Sequence, residues 1–294
     1  MQSLSRKIAG AGDLQGVVSA MKALAASSIG QYEKAVQSLD DYYHTVELGL
    51  SASLREAEPV PLSPRKKAKG GPIGAVLFGS DQGLVGRFNE VIVDLALDTL
   101  KKLPGKTKQI LAVGDRVHSL LTDANFAPVS LLTVPTSVRG ITPLIGQVLI
   151  DIQTARDKGD VVEVYLFHNR PKPGASYEPV CQRLLPFDRA WRSKLAALPW
   201  PDKKLPQVVN GPKPALDAFI RGYLFVLLFQ ACAESLNSEN ASRLAAMQRA
   251  EKNIKQILED LNLEFHRVRQ ESIDEELFDV VSGFEALAKP AHHS

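Results

Sequence analysis

From Pro214 to Leu287 the chain reads PALDAFIRGYLFVLLFQACAESLNSENASRLAAMQRAEKNIKQILEDLNLEFHRVRQESIDEELFDVVSGFEAL, and no proline follows Pro214 until Pro290. Its only glycines are Gly222 and Gly283. Apolar residues recur at three- and four-residue steps through Met247, Ile254, Leu258, Leu261, Phe265 and Val268. The rhythm resumes one residue out of phase at Ile273, Leu277, Val280, Phe284 and Leu287. Such spacing places a seam along one side of a helix. A stretch of about 70 residues makes a rod of about 105 Å, and a helix beyond roughly 25 residues asks for a partner wound against it.

The partner is predicted at the other terminus. Leu14, Val18, Met21, Ala25, Ser28, Tyr32, Ala35, Leu39, Tyr42 and Val46 alternate four- and three-residue steps without a miss. The pattern predicts one helix from about Ser3 to Arg55. Five glycines interrupt it, Gly10, Gly12, Gly16, Gly30 and Gly49. They fit either close approach of another backbone or a kinked, frayed N-terminus, since each costs about 1 kcal/mol relative to alanine. Two seamed helices at the ends, with different composition between them, predict an α/β protein: a long antiparallel coiled coil carrying an inserted domain.

Bulk properties narrow the function. The 294 residues carry 35 Lys plus Arg against 33 Asp plus Glu, a net charge of +2, which argues against a nucleic-acid binder relying on positive charge. Cys181 and Cys232 match no metal or redox spacing and read as reduced thiols of a cytosolic chain. Met1 to Lys7 lacks the apolar core of a signal peptide. The longest apolar run, Tyr223 to Phe229, is too short to span a bilayer, which needs roughly 20 residues, so any membrane association is through partners.

The predicted boundaries are an N-terminal coiled-coil helix over 1–58, a linker over 59–72, a Rossmann-like α/β domain over 73–188, a connector over 189–214, a C-terminal coiled-coil helix over 215–288 and a disordered tail over 289–294. Within the middle domain, strands are expected at Ile73–Phe78, Gln109–Val113, Val129–Val134, Val161–Phe167 and, as an edge, Tyr177–Leu185. Helices are expected at Asn89–Lys102, from Val117, and at Ile141–Ala155. Alternation of this kind gives a mostly parallel sheet. The linker cluster Arg65, Lys66, Lys67 and Lys69 reads as a solvated loop or a contact for an acidic partner.

Chemistry is sparse. The loop Gly79-Ser-Asp-Gln-Gly-Leu-Val-Gly86 lies between a strand and a helix, where backbone N–H groups can hold phosphate. Arg87 and Phe88 follow where a P-loop needs Lys and Ser/Thr, and the glycine spacing fails the dinucleotide pattern, which favours a tight turn. The histidines show no metal spacing apart from the terminal His292-His293, and no catalytic constellation or cofactor site stands out. The polar run Glu234 to Arg243 fits a solvated helix face or a surface packed against other chains. Arg269, Gln270, Asp274 and Glu276 pose the same choice.

These residues carry a resemblance. Glu234-Ser-Leu-Asn-Ser-Glu-Asn-Ala-Ser-Arg-Leu-Ala-Ala-Met247 resembles the signature of the γ subunits of F-type ATP synthases. Ala20-Met21-Lys22, Ser80-Asp81-Gln-Gly-Leu-Val-Gly86 with Asn89, Leu184-Leu-Pro186 and Val281-Ser-Gly283 are similar to other parts of that family, so the resemblance covers essentially the whole chain. It implies a central-stalk rotor with no catalytic site of its own. The partners implied are the α and β subunits of the F1 hexamer, the ε subunit and the membrane c-ring, at the cytoplasmic face of a bacterial membrane. It implies that Arg269 and Gln270 meet the catch loop of β, that Met21 and Lys22 lie near its lever, that Asp274, Glu276 and Arg243 belong to the same catch-loop and lever surface, and that Phe278, Val281, Phe284 and Leu287 turn in an apolar bearing. Several positions depart from the family. Gln15-Gly-Val-Val-Ser19 replaces a basic, threonine-containing stretch, Ser28 a basic residue, Phe265-His266 a Tyr-Asn, Asp274 a Thr and Phe284 an Ala. Asp274 brings a like charge to an expected acidic loop. The departures fit a divergent, alternative ion-translocating branch. The other readings open to the sequence are a stand-alone α/β nucleotide-binding protein and a coiled-coil scaffold.

Overall fold

The computed structural model describes residues 1–56, 71–104, 108–173, 176–201 and 211–288. The basic cluster Arg65 to Lys69, residues 202–210 of the connector, and the tail with His292 and His293 lie outside the described residues. The chain divides into two units, Ala25–Ala245 and the combination of Met1–Leu24 with Ala246–Ser294.

In order, the elements are α1 (Gln2–Gln37), α2 (Asp40–Glu56), β1 (Ile73–Phe78), α3 (Phe88–Lys102), β2 (Lys108–Val113), α4 (Asp115–Asp123), β3 (Ser130–Leu132), α5 (Val138–Asp157), β4 (Glu163–Lys172), β5 (Ser176–Leu185), α6 (Arg189–Ala196) and α7 (Pro212–Ala288). The stretch expected as one N-terminal helix is two. The Ser38 hydroxyl donates to the Ala35 carbonyl, competing with the helical ladder. Asp40 and Asp41 then open α2, where acidic side chains favour a helix N-terminus.

In the unit Ala25–Ala245 the sheet order is β3-β2-β1-β4-β5. β1 pairs in parallel with β2 and β4, β2 with β3 in parallel, and β4 with β5 antiparallel. The alternation of β1 sends its side chains to two cores. Ile73, Ala75 and Leu77 pack with α3 and α4 through Ile92, Ala96, Leu100, Val117 and Leu121. Val76 and Phe78 face Ile141, Ile145 and Val148 of α5 and Leu224, Leu228 and Cys232 of α7, with Tyr32 and Ala35 of α1. A satellite core joins Val46 and Leu50 of α2, Leu195 of α6 and Leu216 and Tyr223 of α7, capped by Phe187 stacked on Trp191 at 3.9 Å. By composition alone one window of α7, of mean hydropathy 1.5, is apolar enough to cross a membrane. The run Tyr223–Phe229 is instead largely buried in these cores, the pattern of a core helix.

In the other unit, α1 and α7 are joined through Lys22, whose Nζ lies 2.6 Å from Glu251 Oε2. The half-buried side chains of α7 here include Ile254, Leu258, Leu261, Phe265 and Val268, as the spacing predicts, with Ser272 the last. On α1 the inward positions include Leu4, Ile8, Ala11, Gln15, Val18, Met21 and Lys22, whereas Leu14 is 59% exposed. Reading Leu14 as a seam residue was therefore one position out. The 4-3 rhythm runs equally well through Gln15, and hydrophobicity favoured the wrong one.

The glycines differ in role. Gly114 sits at φ +113, and a Cβ there would lie 2.8 Å from the backbone of Ser80. At Gly12 nothing lies within 4 Å of the same construction. Gly114→Ala should destabilise the chain by about 2 kcal/mol or more, whereas Gly12→Ala should stabilise it by about 0.5–1 kcal/mol. Denaturant unfolding of the two variants beside the parent checks both signs.

Candidate partner-binding surface and the buried seat of the long helix

The polar run of α7 is neither solvated nor left for another chain. Glu234, Ser235, Asn237, Ser238, Glu239 and Asn240 are all buried within this chain. Glu234, Ser238 and Ser242 recur at four-residue steps and so share a stripe of the helix. Glu234 Oε2 lies 2.8 Å from His168 Nε2 and 3.3 Å from Arg170 Nε, both on β4. Gln230 Nε2 donates to Glu234 Oε1 at 2.8 Å. The Ser238 hydroxyl donates to the Asn169 carbonyl at 3.0 Å, and that of Ser242 to the Val85 carbonyl. Asn169 in turn donates to the Phe88 carbonyl at 2.9 Å. The missing large apolar residues are thus replaced by hydrogen bonds to β4 and to the loop before α3.

That loop is the glycine-rich stretch Gly79–Gly86, and its polar groups are spent internally. The Ser80 N–H donates to Asn89 Oδ1 at 3.0 Å, and Asn89 Nδ2 returns to the Ser80 hydroxyl at 2.9 Å. The Asp81 carboxylate accepts from the backbone of Asp115 at 3.1 Å and Val134 at 3.0 Å, tying three loops together. Leu84 and Gly86 take positive φ, 62° and 60°. The loop is a self-satisfied strand-to-helix turn.

Two glutamates five residues apart titrate in opposite directions. Burial alone would raise Glu234, but hydrogen bonds from His168 and Gln230 and the charges of His168 and Arg170 hold its carboxyl below the usual range. Burial pushes Glu239 up, and the Arg243 guanidinium, 2.6 Å away, does not overcome it. Burial also pushes up the thiols of Cys181 and Cys232, both free, which leaves them poor nucleophiles at neutral pH.

The structure distributes the residues singled out by sequence between the two units. Arg243 is only 13% exposed, paired with Glu239 inside Ala25–Ala245. The remainder fall in the unit of Met1–Leu24 and Ala246–Ser294. Met21 and Lys22 are half-buried on α1. Lys22 holds the Glu251 carboxyl below its ordinary range, and the Ser19 hydroxyl adds a contact at 3.4 Å. Arg269, Gln270, Asp274 and Glu276 are exposed on α7, as are Phe278 and Val281. Phe284 and Leu287 belong to α7, but their side chains lie outside the described residues. Glu251, His168 and Arg170 were missed by sequence reasoning. Their partners are 229, 66 and 64 residues away, so no local spacing announces them.

The sign of the two shifts fixes a test. A depressed carboxyl contributes stability above its unfolded pKa and loses it as pH falls through the folded value. A raised one loses stability as pH rises through the interval between the two values. Glu234→Gln should therefore cost about 2 kcal/mol at pH 7, with the difference from the parent shrinking below pH 4. Glu239→Gln should cost less than Glu234→Gln at pH 7. Urea unfolding from pH 3 to pH 8 reads both.

Comparison with known proteins follows the same extent of chain. A family model described as ATP synthase matches residues 1–287. The ATP synthase gamma chain of Dechloromonas aromatica is 27% identical over 97% of this chain and 99% of its own length. That of Pasteurella multocida is 27% identical over 97% and 99%. Among solved structures, a chain of the Euglena gracilis mitochondrial ATP synthase (OSCP/F1/c-ring, rotational state 3) superposes with a TM-score of 0.66 at 16% identity, covering 100% of this chain and 98% of that one. A chain from the Tetrahymena thermophila mitochondrial central stalk and c-ring gives 0.56 at 21% identity, over 80% and 99%. With a family match across nearly its whole length, this chain belongs to the ATP synthase family.

Proposed function

We propose that the chain is the γ subunit of an F-type ATP synthase, the rotor of its central stalk. The match over residues 1–287 carries the reading, and the relatives it resembles are named ATP synthase gamma chains. In this role α1 and α7 wind into an antiparallel coiled coil that turns inside a ring of three α and three β subunits. The α/β domain sits at the foot with the ε subunit and the c-ring. The chain does no chemistry itself. It couples ion-driven rotation of the membrane ring to conformational change at the β catalytic sites, as a peripheral part of the complex at the cytoplasmic face of a bacterial membrane. The departures at Gln15–Ser19, Ser28, Phe265-His266 and Asp274 fit an alternative branch with its own co-evolved α and β.

Three features support the mechanics. A shaft must resist twisting, and an ion pair such as Lys22–Glu251 between α1 and α7 ties two helices into one body. The shaft must bias three identical sites differently, which needs contacts that differ with its angle. Exposed Arg269 and Gln270 can make such contacts with the β catch loop through charge-assisted hydrogen bonds, strong enough to hold a position and few enough to release it. Asp274 and Glu276 adjoin that contact, Met21 and Lys22 lie near the β lever, and Phe278, Val281, Phe284 and Leu287 run in the bearing. Arg243 acts through its pair with Glu239.

The test uses α and β from the same genome, purified with and without this chain. ATPase activity should rise when one copy joins each hexamer. No incorporation and no change in turnover would refute the reading. Within an active complex, Arg269→Ala should lower turnover about tenfold, the scale of one lost charge-assisted hydrogen bond. Its exposure predicts unchanged thermal unfolding of the isolated chain. Loss of activity together with loss of folding would instead assign Arg269 a structural role.

A further inference from the structure

A twist applied to α7 leaves the helix wherever its contacts resist rotation. The helix is unbroken from Pro212 to Ala288. Within Ala25–Ala245 it meets the α/β domain through two kinds of contact. Leu224 and Leu228 pack in an apolar core with Val76 and Phe78 of β1. Hydrophobic attraction has no direction, so a small rotation of such a surface costs little. Glu234 instead reaches His168 Nε2 at 2.8 Å and Arg170 Nε at 3.3 Å, both on β4. Side-chain atoms stand about 6 Å from a helix axis, so a rotation of about 10° carries them about 1 Å, enough to take a short hydrogen bond out of range.

The two groups on β4 are not equivalent. Arg170 is 46% exposed, and water competes for its guanidinium. His168 is 2% exposed. The Glu234 carboxylate accepts from its Nε2, and Nδ1 has no partner among the described residues. The imidazole therefore commits its polar contact to α7 and none to its own domain. Behind the ring the backbone is anchored on both sides. His168 pairs with Val180 of β5. The next residue, Asn169, accepts from the Ser238 hydroxyl at its carbonyl and donates to the Phe88 carbonyl at the start of α3. A pull on the ring is spread at once to β5 and α3.

We infer that His168 is the positioning residue that passes torque from α7 into the α/β domain, acting through Glu234. The inference rests on the rotor reading, in which torque enters α7 inside the ring and leaves through that domain. An apolar pair of similar size would hold α7 in place while nothing pulls on it, and would yield under load. A complex built with such a pair would hydrolyse ATP and turn its shaft while its foot lagged behind.

The experiment uses the whole complex from the same genome in sealed vesicles, with this chain wild type or substituted. ATP hydrolysis is measured with the membrane potential released by an ionophore. The steady potential that hydrolysis builds is then read with a potential-sensitive dye. His168→Leu/Glu234→Leu removes the pair without stranding a buried charge, and apolar replacement of a whole pair is tolerated far better than loss of one partner. Its complex should hydrolyse ATP as fast as wild type with the potential released, yet build no more than about half the wild-type potential. His168→Gln places an amide N–H near the imidazole donor and should keep the wild-type potential. Thermal unfolding of the isolated double variant should match wild type. A double variant that builds the wild-type potential overturns the inference, as does a His168→Gln complex that builds no more than the double variant. A double variant that fails to fold, or loses hydrolysis with the potential released, assigns the pair a structural role and also overturns it. Each of these leaves the rotor reading standing. A wild-type chain that never joins the complex, or a complex that builds the same potential without it, overturns the rotor reading and the inference together.

Discussion

The carboxylate of Glu234 is the contact on which the seating of α7 turns. It is buried, ionised and shared between His168 and Arg170, while Gln230 occupies its other oxygen. An ion removed from water is tolerated only where its lone pairs are met. Meeting them fixes α7 in rotation and in height against β4, because a slide of one residue turns the stripe of Glu234, Ser238 and Ser242 by about 100° off its acceptors. An apolar seat is more forgiving. Leu224 and Leu228, about two to three turns earlier, pack in the apolar cluster instead. The polar stripe therefore sets register where the apolar stripe supplies burial.

The same helix meets four environments in order: an apolar core to Ala233, a polar seat to Ser242, a half-buried seam from Met247 to Ser272, and open exposure from Ile273. Helical geometry is common to all four, since nothing in the stretch breaks it. That is why the existence and extent of α7 could be read from the scarcity of proline and glycine after Pro214, and the seam from Ile254 to Val268 from spacing alone. The five strands and the mostly parallel sense of their sheet were legible for a related reason. Short apolar runs bounded by glycine, and helices between them, leave few topologies.

What the sequence hid is equally specific. The polar run looked available to solvent or to another chain, because a glutamate's partner 66 residues away on a strand leaves no periodic trace. Gln15 was passed over for Leu14 because hydrophobicity, the guide to a seam, misleads where a helix carries apolar residues on two sides. The break at Ser38 was masked by an unbroken 4-3 rhythm on either side of it, and only the serine back-bond and two aspartates mark it. In each case a polar side chain decided the outcome. Periodicity counts apolar residues and is blind to that.

A shaft that works by turning cannot hold every contact tightly, and the chain sorts its charges accordingly. Where α7 must not move relative to β4, the ions are buried and directional. Where α1 and α7 must stay together, the Lys22–Glu251 pair is about one-third exposed on each side, so water and salt weaken it and its work is alignment. On the segment after Ser272, the carboxylates of Asp274, Glu275, Glu276 and Asp279 are exposed. Water and salt screen what such charges contribute to the stability of the chain. Fixed charge at the seat, a screened pair at the seam and uncommitted charge on the exposed segment are three uses of one chemistry, and solvent exposure alone separates them.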